Sequence, residues 1–141
     1  MTDYRVVDAM TRQVIYLPAE TTLEEAARVM RDADIGDVVV TDGANLAGIL
    51  TDRDIVIRAV AENSDPTATT IGSVITREVV MIEQFCTAGE AASLMRERGI
   101  RRILVCDNER KLVGIVSLGD LAMQLDPTSA LSEISEQSPT V

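Results

Sequence analysis

The sequence predicts a mixed α/β (α+β) fold: one β-α-β-β-α unit written twice, the two copies packed with pseudo-twofold symmetry. Three observations carry this expectation. The chain repeats itself at a constant offset, each copy shows the same order of strand and helix signals, and 46% of its 141 residues are hydrophobic. That share suffices to bury a core, either as one compact domain or as two small halves packed intimately together.

Residues 6–43 superpose on 71–108 without a gap at an offset of 65. Thr11, Arg12 and Val14 match Thr76, Arg77 and Val79, and Thr22, Glu25, Ala26 and Ala27 match Thr87, Glu90, Ala91 and Ala92. The register continues through Met30, Arg31, Ile35, Val40 and Asp42 onto Met95, Arg96, Ile100, Val105 and Asp107. One extra residue before Leu112 moves the offset to 66, after which Leu46, Gly48, Ile49 and Asp54 match Leu112, Gly114, Ile115 and Asp120. An insertion at that point falls where a hairpin turn is expected.

Each copy opens with a short apolar strand, residues 14–17 and 79–82, the first ended by Pro18. Thr22 with Glu25 and Thr87 with Glu90 have capping-box spacing. Alanine and methionine follow at helical spacing, so an amphipathic helix comes next. Val38, Val39, Val40 and then Ile49, Leu50 flank a turn at Asp42–Asn45; the second copy repeats the strand-turn-strand pattern around 107–111. Thr51 and Ser117 cap a second helix, through Ile55–Ala61 and Leu121–Leu125. Ile55, Val56 and Ile57 are a β-branched run that propensity alone would make a strand; the repeat partner argues for helix. The domain plan is therefore repeat 1 at 6–62, a polar linker at 63–70, repeat 2 at 71–125, and a Ser/Thr/Glu-rich tail at 126–141, entered through Asp126 and Pro127 and expected to be mobile. A unit of about sixty residues has too little core to stand comfortably alone, so each should pair with its twin.

Composition excludes several functions. A formal charge of −10 repels a phosphate backbone, and Lys and Arg form no dense stripe, so nucleic-acid binding is not expected. Tyr4, Tyr16 and Phe85 are the only aromatics, too few for a stacking platform, so a bound base would lie between aliphatic side chains. No apolar run approaches a membrane span and the first residues lead into no signal-like segment, which makes a cytoplasmic protein the expectation. With no histidine in the chain, zinc sites of the usual Cys/His spacing are excluded. Cys86 and Cys106 read as small packing residues. No Ser or Cys stands in a nucleophile setting, and the carboxylates all have surface explanations, so no enzyme is expected.

The most specific element is Gly48-Ile49-Leu50-Thr51-Asp52-Arg53-Asp54, repeated as Gly114-Ile115-Val116-Ser117-Leu118-Gly119-Asp120. Here a strand runs into a helix N-terminus, where free N–H groups and the dipole can receive a phosphate, with the hydroxyl as a further donor. An Asp one turn later accepts only, and its two oxygens suit the two hydroxyls of a ribose. Glycine lets a ligand come close to the backbone. Equally, Thr51 with Asp54 and Ser117 with Asp120 make capping pairs that need no ligand.

With the duplication and the motif together, residues 6–125 resemble two CBS repeats, the tandem unit called a Bateman module. The first motif, with Asp52 and Arg53, is similar to that of small stand-alone bacterial CBS proteins of the hypoxic response type. The chain departs from the family pattern at Val39 and Leu104, where a proline is common. The resemblance implies that the repeats pack through their sheets and that adenosyl ligands bind in clefts between them. It assigns ribose hydroxyls to Asp54 and Asp120, and ribose or phosphate to Thr51 and Ser117. Adenine would meet the backbone from Thr11 to Val14 and from Thr76 to Val79, with walls at Ile35 to Val38 and Ile100 to Ile103. Arg53, Arg101 and Arg102 would supply phosphate charge, although such arginines are also ordinary surface residues.

Two functions remain open. The first is a stand-alone regulatory module for AMP, ADP or ATP, or S-adenosylmethionine or NAD, that signals to a separate effector protein and needs no cofactor. The second is a ligand-free interaction module, a homodimer held by the apolar surface of residues 55–61.

Overall fold

In the computed structural model, residues 4–125 are described; the expectations for the tail at 126–141 and for the end of the last helix at Asp126 lie outside them. The chain divides into two compact units. One is Ile15–Val79; the other joins the segment up to Val14 to the chain from Val80 onward.

In the first of these, strands β1 (Tyr16–Pro18), β2 (Asp37–Asp42) and β3 (Asn45–Thr51) form a sheet in that order, β1 parallel to β2 and β3 antiparallel to it. Pro18 is tolerated because β1 is an edge strand. Helix α2 (Leu23–Ala33), with Thr22 accepting the N–H of Glu25 at 3.2 Å, is capped as its sequence predicts. It buries Leu23, Ala26 and Met30 against Val38, Val40 and Leu50. The turn between β2 and β3 needs only Gly43 and Ala44, with Gly43 at φ +63°.

The second unit repeats this plan with β4 (Met81–Glu83), α4 (Ala88–Arg98), β5 (Arg102–Cys106), β6 (Leu112–Ser117) and α5 (Leu118–Leu125), preceded by the short α1 (Val6–Ala9). Thr87 caps α4 through the N–H of Glu90 at 3.1 Å. Val6, Ala91, Met95, Ile103, Val105, Val116 and Leu121 fill its core. Both hairpins carry a bulge at the same place: Ala47 lies between the pairs Val40–Gly48 and Thr41–Leu46, and Val113 between Val105–Gly114 and Cys106–Leu112.

Each unit contains the lead-in of the other sequence repeat. Ile71, at the start of repeat 2, donates to the Thr21 carbonyl at 2.8 Å and Gly72 to that of Ala19 at 3.0 Å. Val6, at the start of repeat 1, donates to Cys86 O at 2.8 Å. Further on, Thr76 and Ile49 exchange N–H···O bonds of 2.9 and 3.0 Å, and Thr11 and Ile115 do so at 2.8 and 3.0 Å. Ile71, Val74 and Ile75 thus complete one core, Val6 and Met10 the other.

The helix expected over 55–61 is present but is not an α-helix. After α3 (Asp52–Asp54) the chain forms a π-helical stretch, Ile55–Val60, with Ala61 N–H bonded to Val56 O and Ser64 N–H to Ala59 O. The wider turn puts residues five apart on one side, so Asp54 and Ala59 are both buried. An α-helix would turn Ala59 well away from Asp54. The equivalent α5 stays α-helical.

A Cβ at Gly48 would collide with the Thr76 carbonyl oxygen, and one at Gly114 would come within 2.7 Å of both the Met10 sulfur and the Thr11 carbonyl oxygen. Gly48→Ala and Gly114→Ala are therefore each expected to cost about 1–3 kcal/mol in denaturant unfolding; a loss within about 0.5 kcal/mol would contradict these close approaches. Cys106 is buried in β5 and Cys86 half-buried against the same core. Burial, reinforced by the Glu90 carboxylate, pushes the Cys86 thiol up. Iodoacetamide should accordingly label the native protein at mildly alkaline pH far more slowly than the urea-unfolded chain.

Candidate functional site

The two copies of the motif fold into the same junction. At the end of β3 the Thr51 N–H donates to Asp54 Oδ2 at 3.0 Å and the Asp54 N–H to Thr51 Oγ1 at 3.0 Å. At the end of β6 the Ser117 N–H donates to Asp120 Oδ2 at 2.9 Å and the Asp120 N–H to Ser117 Oγ at 3.0 Å. Both are complete capping boxes. The next residue ties in the wall segment: Asp52 N–H donates to Gly36 O and Leu118 N–H to Arg101 O, each at 2.9 Å. Ile35 and Ile100 are half-buried beside these junctions, whereas Val38 and Ile103 are wholly buried core residues.

Two expectations about the backbone are corrected. Gly48 and Gly114 do not open space for a ligand, because Thr76, and Met10 with Thr11, fill it. Nor is the first junction rich in free N–H groups: those of Thr51, Asp52 and Asp54 are engaged as above, and that of Arg53 donates to Asp52 Oδ1 at 2.8 Å. At the second junction the Gly119 N–H has no partner among the described residues.

Asp54 is the buried charged residue among those described, 7% exposed. Besides its cap, its carboxylate accepts the Thr76 hydroxyl, 3.1 Å from Oδ1 and 3.3 Å from Oδ2, and lies 3.7 Å from Arg58 Nε. Arg58 Nη1 also donates to the Ile75 carbonyl at 3.0 Å. Sequence reasoning missed Arg58, although its position four residues after Asp54 on a helix was a usable signal. It placed Thr76 near a ligand through its backbone; the side-chain bond to Asp54, spanning 22 residues, has no local signature. Thr11 is bonded to Ile115 through its backbone alone among the described residues, and Val14 and Val79 are half-buried.

The junctions differ in charge. Asp37, Asp52 and Asp54 with Arg53 and Arg58 surround the first, whereas Arg101 and Arg102 with Asp120 surround the second. Arg53 is exposed and, with Asp52, Val56 and Ile57, lines an open depression of about 340 Å³. Among the described residues no group of three or more Cys, Asp and Glu side chains is placed to hold a metal ion, and no helix is long and apolar enough to cross a membrane.

Comparison with known proteins agrees with this architecture. The pattern of the CBS domain matches residues 6–60 and 71–126. Hypoxic response protein 1 of Mycobacterium tuberculosis is 36% identical over 119 residues, 84% of this chain and 82% of that protein. The CBS-domain containing protein ATU1752 from Agrobacterium tumefaciens superposes with a TM-score of 0.75 at 29% identity, covering 86% of this chain and 92% of that one. The CBS domain pair of protein MJ0100, solved in complex with 5′-methylthioadenosine and S-adenosyl-L-methionine, superposes with a TM-score of 0.77 at 26% identity over 91% of this chain and all of that one. With both halves matched and a relative 36% identical over 119 residues, the chain belongs to the CBS-domain family as a tandem pair.

Proposed function

We propose that this CBS pair is a regulatory module that binds an adenine nucleotide or other adenosyl ligand at its two strand-to-helix junctions and reports the binding to a partner protein. The observation that carries the reading is the recurrence of one geometry: a hydroxyl residue and an aspartate locked as a capping box at the end of β3 and again at the end of β6. The cap engages Oδ2 of each aspartate, and a carboxylate has about four acceptor positions, so capacity is left over at the same place in both copies that suits a ribose diol. The ligands of the MJ0100 pair are of this adenosyl class. In this reading Asp54 and Asp120 receive ribose hydroxyls, Thr51 and Ser117 contact ribose or phosphate, and the backbone at Thr11 to Val14 and Thr76 to Val79 meets the base. Arg101, Arg102 and the Gly119 N–H favour a phosphorylated ligand at the second junction. The carboxylates around the first favour an uncharged or cationic one. In this reading nothing is turned over: each hydroxyl and each carboxylate of the motif accepts the backbone N–H of the other residue.

Calorimetric titration with AMP, ADP, ATP, S-adenosylmethionine and NAD should give saturable binding. Asp54→Ala and Asp120→Ala should each abolish one component of it, with phosphorylated ligands lost chiefly in Asp120→Ala. Absence of binding by all five ligands would refute the reading.

A second role rests on a different surface. Val56, Ile57 and Val60, on the π-helical stretch, are 54, 49 and 67% exposed. Three large aliphatic side chains on one helical segment are a surface a second copy would cover, so the module is read as a homodimer. Sedimentation should show a dimer that Val56→Lys with Val60→Lys converts to monomer while leaving the thermal melt intact; a wild-type monomer at all concentrations would count against it.

A further inference from the structure

The Asp54 carboxylate is already host to an internal hydroxyl. Its oxygens offer about four acceptor positions. One takes the Thr51 N–H, Arg58 Nε stands 3.7 Å from Oδ1, and the Thr76 hydroxyl bridges both oxygens at 3.1 and 3.3 Å. A ribose presents two adjacent hydroxyls, and both cannot reach this carboxylate while Thr76 spans it. A single hydroxyl can.

Thr76 is not free to leave as a segment. Its backbone is paired with Ile49 in both directions, its carbonyl lies over Gly48, and Arg58 holds the preceding carbonyl of Ile75. The hydroxyl can only rotate about χ1 or stay. At the matching position Thr11 has the same backbone pairing with Ile115, but its hydroxyl makes no bond to another described residue.

We propose that Thr76 is a specificity-determining residue of the first junction: its hydroxyl competes with a vicinal diol for Asp54, lowering the affinity of that junction for ribosyl ligands without affecting ligands that offer one hydroxyl. The proposal rests on the reading of Asp54 as a ribose acceptor. It makes the first junction a weak site by construction, one that responds at a higher ligand concentration than Asp54 alone would dictate.

The test uses full-length protein carrying Asp120→Ala, so that only the first junction is read, and two probes, adenosine and 2′-deoxyadenosine. Adding Thr76→Val, which keeps the shape and removes the hydroxyl, should tighten adenosine binding by about tenfold or more, the worth of one hydrogen bond to a charged group. Binding of 2′-deoxyadenosine should stay within about twofold, a shift well under one hydrogen bond. Thr76→Ser should restore the parent affinity, and Thr76→Val should have no effect once Asp54→Asn is present. Equal tightening of both nucleosides would mean a loosened fold rather than a removed competitor, and weaker adenosine binding would mean that Thr76 helps the ligand; either overturns the inference while the binding reading stands. If neither nucleoside binds to the parent or to Thr76→Val, with thermal melts showing both folded, the binding reading falls and the inference with it.

Discussion

The structure depends on a backbone bridge laid across a glycine. In each unit a lead-in strand segment pairs with the strand just after the hairpin bulge, Thr76 with Ile49 and Thr11 with Ile115, and only hydrogen at Gly48 and Gly114 leaves room for the approach. The bulges at Ala47 and Val113 set those glycines in register. Since each lead-in belongs in sequence to the other repeat, neither repeat closes its own core. Repeat 2 supplies Ile71, Val74 and Ile75 to the sheet of repeat 1, and repeat 1 supplies Val6 and Met10 in return. A unit this small buries a modest fraction of its surface, so losing three aliphatic side chains would remove much of what stabilises it.

The same bridge shapes the junctions. By fixing the backbone of Thr76 it sets that hydroxyl against Asp54, and it carries the Ile75 carbonyl to within reach of Arg58. The π-helical stretch contributes from the other side, since its wider turn keeps Asp54 and Ala59 inward while Val56, Ile57 and Val60 face out. A buried carboxylate in such a place has to be satisfied by hydrogen bonds, which Thr51 and Thr76 supply, and the Arg58 guanidinium adds a charge 3.7 Å away. At the second junction Leu118, Gly119 and Gln124 stand where Asp52, Arg53 and Arg58 stand at the first, so an identical cap is set in a different field.

What the sequence by itself determined is whatever depends on neighbours within a turn or a hairpin. The duplication, the N-caps at Thr22 and Thr87, the apolar strands, the Gly43 turn and the pairing of Thr51 with Asp54 are all decided by residues close along the chain, so their spacing is diagnostic. Even the helix over 55–61 was legible through its repeat partner, though its π form was not, because that form answers to what Asp54 and Ala59 must bury rather than to propensity. Only the tertiary structure decided the exchange of lead-ins, the use of Gly48 for a carbonyl rather than a ligand, and the bond from Thr76 to Asp54. These are contacts between segments more than twenty residues apart, where pairing is selected by the fit of whole surfaces and leaves no periodic trace in the chain.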